Sequence, residues 1–215
     1  MALALSARGL ALVDQGEAAL PAAEGVLAAR RHFTIAPGVA DPLQRFVATR
    51  QSYRGAFEAA RAEDRSTADA LAAEDCVVVA DPARIAAIGR QVDRSGHAFF
   101  RDGAFRAELR SWMRLRCSDP RWARDGLNAQ AMAMSPVEAF GAGLVLGPLF
   151  RPLDGIGLAA PLTAEASTIK GAAAILLFHR SAGEARFESG RAFYRLWLRV
   201  EQVGLQAAVM ASLAD

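Results

Sequence analysis

Apolar residues recur at helical spacing over most of the chain, and short continuous apolar runs interrupt that pattern in two places. From Leu3 to about Gly16, and again from about Pro21 to Arg31, small and aliphatic residues follow a helical period. This pattern predicts two helices with a break at Leu20-Pro21. We therefore predict that residues 1–40 form an N-terminal helical segment.

Capping signals mark the start of the next helix. Asp41 precedes Pro42, which is the pattern of an N-cap residue followed by proline at the first helical position. A helix through Leu43, Phe46 and Val47 is therefore predicted. It leads directly into the arginine-containing stretch TRQSYRGAF.

Two apolar runs are predicted to be strands. The run CVVVA at residues 76–80 is rich in β-branched residues and is followed by Asp81-Pro82, and a second strand is predicted from about Ala173 to Phe178. Asp81-Pro82 also begins a helix, and a polar, alanine-rich helix is predicted at about Glu58 to Ala73. A strand followed by a capped helix indicates an α/β or α+β fold.

The second half of the chain carries two amphipathic helices around a passage rich in glycine and proline. The first is GAFRAELRSWMRLR, with arginines opposite its apolar stripe, and the second is the strongest helical pattern in the chain, ended or kinked at Gly204-Leu205. Between them, residues 117–170 are predicted to form an irregular excursion that lines a site or wraps a partner. The apolar stripes consist of Phe105, Leu109 and Trp112 in the first helix and Phe193, Leu196, Trp197 and Val200 in the second.

Composition favours one soluble domain that comprises residues 1–215. A chain of 215 residues can bury one substantial core, and no apolar run reaches the roughly 20 residues that a membrane span needs. The 25 basic residues nearly balance the 23 acidic ones, so nucleic-acid binding is not indicated. Cys76 and Cys117 form no CxxC pair, and Arg8 interrupts the only stretch that resembles a signal peptide. We therefore expect a cytoplasmic protein that binds neither nucleic acid nor membranes.

Common catalytic and metal-binding patterns are not found in the sequence. His32, His97 and His179 are far apart and belong to no metal-binding motif, so no metal site is predicted. There is no GxSxG elbow and no GxxxxGK[ST] phosphate loop. No catalytic side chain is assigned, and arginine is the available anion binder.

The stretch TRQSYRGAF places Arg50, Ser52 and Arg54 two residues apart. Two guanidinium groups spaced i and i+4, with a hydroxyl between them, can converge on one phosphate, and arginine offers planar bidentate geometry for this contact. In a chain rich in arginine the same spacing also arises on a solvated surface turn. Taken alone, the stretch favours the surface turn over a ligand site.

The order of these blocks resembles the nitroreductase-like flavoprotein superfamily. In that family an RxSxR-type motif near a helix end holds the phosphate or flavin edge of FMN, and TRQSYRGAF is similar to it at Arg50, Ser52 and Arg54, with Phe57 following. The blocks CVVVADPARIAAIGRQVDR, FRAELRSWMRLRCSDPRWARDGLNAQAM, STIKGAAAILLF and ESGRAFYRLWLRVEQVGLQAA resemble later family segments in the same order. The resemblance covers most of Thr49 to Ala208 and corresponds to a divergent branch of the family.

The resemblance implies an α+β fold in which a small central, mostly antiparallel sheet is wrapped by helices. It also implies a homodimer with FMN at the subunit interface, which transfers a hydride from NAD(P)H through the flavin to a small organic acceptor. Arg50, Ser52 and Arg54 would contact the flavin, and the backbone of Gly204-Leu205 would approach it. Asn128 is either a hydrogen-bonding group for the flavin ring or a turn-forming residue.

Two other functions stay open at this level. The chain is alternatively a non-catalytic protein of the same fold that binds flavin or another ligand, or a helical interaction protein without a cofactor. Dimerisation is also expected because the predicted helices carry more apolar surface than two short strands can cover. The late helix is the predicted seam, with Phe193, Trp197 and Val200 as contacts.

Overall fold

The structure, a computed structural model, combines helices and strands. It describes residues 2–17, 31–55, 57–164 and 166–210. These residues divide into two compact units. The first unit takes its described residues from 1–52, 66–78 and 176–207, and the second takes them from 53–65, 79–175 and 208–215.

The N-terminal part of the first unit is a helical turn followed by a hairpin. Helix α1 (Ala2–Ser6) precedes strand β1 (Leu10–Glu17), which pairs antiparallel with β2 (Arg31–Pro37). The predicted helix from Leu3 to Gly16 is therefore wrong beyond α1, because Gly9 takes a left-handed conformation at φ +68° and the chain then extends.

The second predicted N-terminal helix falls mostly outside the described residues. Of the range 21–31, only Arg31 is described, and it begins β2. The expectation that residues 1–40 form a helical segment is thus corrected to a short helix plus an antiparallel strand pair. Pairing between strands of eight and seven residues outweighs the helix propensity of alanine and leucine here.

Local capping fixes the next elements of the first unit. Asp41 accepts a hydrogen bond from the Leu43 amide at 3.0 Å and begins a 3-10 helix at Pro42–Phe46, so the predicted cap is confirmed and the helix is short. Further elements are α2 (Ala62–Asp69), which spans both units, β3 (Cys76–Val79), which pairs with β6 (Ile175–Phe178), and α9 (Arg186–Gln202).

The core of the first unit lies under α9. Leu196 and Val200 are buried on this helix, as its apolar pattern predicted, and Leu198, which lay outside the predicted stripe, is buried as well. Val200 is only 4% exposed within a single chain, and Phe193 packs edge-on between Phe178 and Trp197. Val200 is therefore not available as a contact of the predicted dimer seam, whereas the seam at Phe193 and Trp197 stays a prediction because both side chains are half-buried.

The second unit is built around α3 (Pro82–Arg101). Asp81 caps it by accepting a hydrogen bond from the Arg84 amide at 2.8 Å, which confirms the predicted start. Ile85 and Val92 form a core cluster with Ile169, which lies on α8 (Ala166–Lys170). The two helices approach closely along this seam.

Helix α4 (Gly103–Trp112) follows α3 directly and ends at two short parallel strands, β4 (Met113–Arg114) and β5 (Leu127–Asn128). The apolar stripe predicted for α4 is only partly buried. Trp112 is 54% exposed, whereas Arg106 is nearly buried with its guanidinium 4.2 Å from the ring centre of Phe150. The prediction of Trp112 as a core residue is wrong, because the buried position on this helix goes to an arginine that stacks on an aromatic ring.

The passage predicted to be irregular at residues 117–170 contains helices in its second half. A capping box begins α5 (Pro136–Val145): Ser135 caps the helix, and Glu138 accepts a hydrogen bond from the Ser135 amide at 2.7 Å. Three short helices follow, namely α6 (Phe150–Gly155), α7 (Ala159–Leu162) and α8. The capping signal of α5, the sequence S-P-V-E, is present at residues 135–138.

The fold class is thus mixed helix and strand, as predicted at that level. The described strands form three separate two-stranded pairs, of which β1–β2 is antiparallel and β4–β5 is parallel. The family resemblance implied one small central sheet, and the described strands do not form one. Among the described residues, no helix is both long enough and apolar enough to cross a membrane.

Candidate functional site

Arg50 lies on an aromatic platform in the first unit. Its amide donates to the Phe46 carbonyl at 2.9 Å, which ties the arginine stretch to the end of the 3-10 helix. Its guanidinium carbon stands 4.3 Å above the ring centre of Trp197 and 5.4 Å from that of Tyr194, both on α9. Cation–π contacts of this kind orient an arginine without neutralising its charge.

The Nε atom of Arg50 is buried and has no hydrogen-bond partner within the described chain. In that same part of the chain, no carboxylate lies within ion-pair distance of Arg50. By contrast, the neighbouring Arg195 is paired with Asp41 at 2.6 Å. Burial raises the pKa of Asp41, but the hydrogen bonds from Arg195 and the Leu43 amide outweigh it, so that the pKa is lowered overall.

Ser52 lies beside the segment that follows α9. Ser52 forms a parallel bridge with Ala207, just after Gly204-Leu205. The helix ends as predicted: Gly204 has φ +79°, and the Leu205 amide donates back to the Val200 carbonyl at 3.1 Å. The structure therefore places Ser52 beside the segment that directly follows Gly204-Leu205, and Arg50 against side chains of α9 in the same unit.

The other two predicted site residues belong to the second unit. Arg54 is exposed. Asn128 uses both ends of its side-chain amide locally, because Nδ2 donates to the Trp122 carbonyl at 3.0 Å and Oδ1 accepts from the Ala131 amide at 2.7 Å. The turn-forming role that the sequence left open for Asn128 is therefore the one the structure shows.

A second polar cluster in the first unit was not predicted. Arg180 donates from Nε to Glu184 at 2.7 Å and from Nη1 to Asp75 at 3.0 Å, at a cleft of about 450 Å³. The hydrogen bond from Arg180, together with one from Ser189, lowers the pKa of Glu184 to about 2, and the pKa of Arg180 is raised by the same pairing with Glu184. The charges satisfy one another, so the cluster ties the segment after β6 to α9 rather than offering a free charge to a ligand.

A third cluster joins α3 and α6 in the second unit. The Oδ1 atom of Asp154 lies 3.1 Å from His97 Nε2, and its Oδ2 atom accepts from Arg101 Nε at 2.9 Å. The ring of His97 also lies 6.3 Å from that of Phe150, and its Nδ1 is buried without a partner in the described chain. No group of three or more His, Cys, Asp or Glu side chains suited to a metal ion occurs among the described residues.

Comparison of the chain with protein-family models, with curated proteins and with solved structures finds no match. Functional inference therefore rests on the residues and on their geometry. By residue type and by geometry, the strongest candidate site is the platform formed by Arg50, Tyr194 and Trp197. The backbone of Ser52 and of Gly204-Leu205 adjoins it.

Proposed function

We propose that this chain binds FMN at Arg50 and Ser52 and transfers a hydride from NAD(P)H through the flavin to a small organic acceptor, as nitroreductase-like flavoproteins do. One observation carries the proposal. The Ser52–Ala207 bridge places the start of the RxSxR-type stretch beside the Gly204-Leu205 turn, and these are the two segments that the family resemblance assigned to the flavin.

The residues at this site fit an anionic group. Arg50 is held in place by two aromatic rings, its Nε is buried without a partner in the described chain, and its charge is not offset by a carboxylate there. A guanidinium in this state gains charge-assisted hydrogen bonds from a phosphate without first breaking an ion pair. Ser52 adds a hydroxyl, and Gly204 allows close backbone approach because it has no side chain.

In this proposal the flavin supplies the redox chemistry, since it accepts and donates a hydride. The protein supplies binding and orientation. Arg50 and Ser52 would hold the anionic end of FMN, and the backbone at Gly204-Leu205 would face another part of the cofactor. Asn128 is not assigned to the flavin, because its amide is used within its own turn.

A homodimer is part of the proposal. The second unit leaves several large apolar side chains on the surface, among them Val137 at 80% exposure, Ile156 at 70% and Phe140 at 63%. Apolar surface of this extent favours burial against another molecule. A second copy of the chain is the partner that most soluble oligomers use.

The test is an absorbance spectrum of the purified protein, followed by titration with FMN. We expect a yellow protein, and we expect Arg50→Ala to weaken FMN binding by about 10- to 100-fold, because a charge-assisted hydrogen bond contributes about 1.5–3 kcal/mol. Arg191→Ala is the matched control, since Arg191 lies on α9 in an exposed ion pair with Glu188.

Three results would count against the proposal: a colourless protein that takes up no FMN, unchanged FMN affinity in Arg50→Ala, or equal losses in Arg50→Ala and Arg191→Ala. Thermal unfolding of each variant shows whether the fold is intact. Oxidation of NAD(P)H by the FMN-loaded protein then separates an enzyme from a protein that only binds the flavin.

A further inference from the structure

The second unit contains a cavity of about 230 Å³ between α3, α4 and the end of α7. Its walls are mainly apolar. Three phenylalanines, Phe99, Phe100 and Phe105, supply aromatic surface, Gly96 lies on the α3 side, and Asp93 and Thr163 provide polar groups. The cavity lies within one unit and does not involve the residues assigned to FMN.

Gly96 keeps the α3 side of the cavity open. Glycine inside a helix is destabilising relative to alanine, so its presence within α3 calls for a reason. At Gly89 in the same helix, an added Cβ would lie 3.4 Å from the Cβ of Ala166, which is packed against it. An added Cβ at Gly96 would meet nothing within 4 Å. Close packing therefore does not account for Gly96, and its effect is to leave space in the cavity.

The aromatic wall is held in a fixed geometry. Phe105 is tilted against Phe99 at a ring distance of 5.7 Å and meets Phe100 edge-on at 5.8 Å. The nearly buried Arg106 donates to the carbonyl of Phe100 and stacks over Phe150. Such a wall presents both ring faces and ring edges, which are the surfaces that another aromatic ring contacts favourably.

The polar groups of the cavity set its charge preference. Asp93 is fixed by a hydrogen bond from the Ala166 amide to its Oδ1 at 2.9 Å, and Thr163 donates its hydroxyl to the Ala159 carbonyl at 3.1 Å. A carboxylate beside aromatic rings favours a cation, through Coulomb attraction and cation–π contact together, and disfavours an anion.

We propose that this cavity is a binding site for a single-ring aromatic amine. An apolar cavity of about 150 Å³ is large enough for benzene, so 230 Å³ accommodates one ring with a short substituent. The ring lies among Phe99, Phe100 and Phe105, over Gly96, and the ammonium group lies towards Asp93. The inference does not depend on flavin binding.

The experiment uses the full chain and two probes of similar size and opposite charge, benzylamine and benzoate, titrated by calorimetry or by NMR. We expect benzylamine to bind and benzoate to bind at least about 10-fold more weakly, which corresponds to about 1.4 kcal/mol. Gly96→Leu fills the cavity and should abolish benzylamine binding. Gly141→Leu is the control, because Gly141 is also a helical glycine of the second unit with nothing within 4 Å of an added Cβ.

A folded Gly96→Leu protein with undiminished benzylamine binding would overturn the proposal, as would equal binding of the two probes or binding of neither. If Gly96→Leu does not fold, Asp93→Asn provides the second test. The asparagine keeps an oxygen for the Ala166 amide and removes the charge. It should therefore reduce the preference for benzylamine over benzoate, and an unchanged preference would contradict the assigned role of Asp93.

Discussion

Removing the carboxylate of Asp125 should destabilise the second unit by leaving a buried cation without its partner. Arg114 is 2% exposed, and it donates to the Oδ1 atom of Asp125 from Nε at 3.0 Å and from Nη2 at 2.6 Å. Its Nη1 donates to the Ser111 carbonyl at 2.6 Å. In Asp125→Ala the Ser111 bond remains, and the two bonds to the carboxylate are lost.

The magnitude follows from the exposure of the two partners. Removing one partner of a fully buried ion pair costs about 3–5 kcal/mol, whereas a surface pair contributes about 0–1 kcal/mol. Asp125 is 46% exposed while Arg114 is buried. We therefore expect Asp125→Ala to lower the free energy of unfolding by about 2–3 kcal/mol. Arg114→Met should cost less, because the remaining Asp125 can be hydrated.

The assay is urea unfolding followed by tryptophan fluorescence, since Trp112 and Trp122 lie close to this pair in sequence. In Asp125→Ala the midpoint should fall while the m-value stays constant. Arg121→Ala is the control: its guanidinium is 55% exposed and 3.9 Å from a carboxylate, so the change should stay within about 0.5 kcal/mol. A loss below about 0.5 kcal/mol in Asp125→Ala, or strict additivity with Arg114→Met, would refute the reasoning.

Two further predictions concern backbone strain and pH. Gly126 and Gly157 both have positive φ, +72° and +76°, but an added Cβ at Gly126 would lie 2.2 Å from the Trp112 carbonyl oxygen, whereas at Gly157 it would meet nothing within 4 Å. Gly157→Ala should thus lower the free energy of unfolding by about 1–2 kcal/mol through left-handed backbone strain alone. Gly126→Ala should lower it by about 1–3 kcal/mol more, because overpacking is added to the strain. Equal unfolding midpoints for the two variants would contradict this. Because the hydrogen bond from Arg180 lowers the pKa of Glu184 from 4.5 to about 2, its stabilisation is complete above pH 4.5 and is lost as the pH falls towards 2. Glu184→Gln should flatten the pH dependence of the urea midpoint in that window, and an unchanged slope would argue against the pairing.

The elements that the sequence predicted well are those fixed by neighbouring residues. Asp41 and Asp81 each precede a proline, and each caps the helix that the local pattern predicts. The capping box at Ser135 and Glu138 carries the same kind of local information, and giving it more weight than the surrounding glycines would have identified α5. A cap needs only three or four consecutive residues, so its signal is complete in a short window.

The N-terminal hairpin could not be obtained in the same way. Whether Leu10 to Val13 is helical or extended depends on pairing with residues 34–37, which lie more than twenty positions later in the sequence. The β-branched and aromatic run HFTI was the available hint. For the same reason the contact between Arg180 and Asp75, 105 residues apart, has no local signature.

The candidate site was predicted in part. The resemblance put Arg50, Ser52 and Gly204-Leu205 at one ligand, and the structure pairs Ser52 with Ala207, just after Gly204-Leu205. It did not indicate that Trp197 would support Arg50, because a tryptophan on an apolar helical stripe looks the same in sequence whether it fills a core or carries a cation. The distinction depends on which segment of the chain packs against that face of the helix, here the segment that contains Arg50.

The partners of three other arginines give a physical reason for choosing Arg50 over them. Arg114, Arg180 and Arg195 each contact a carboxylate, so that an incoming anion would have to compete with a negative charge already in place. Arg50 instead rests on Trp197, a partner that fixes the guanidinium without cancelling its charge. A phosphate at Arg50 therefore adds an attraction, whereas at the other three it must replace one. The aromatic support of Arg50 thus favours the proposed anion site over the surface turn that the spacing of the arginines alone indicates.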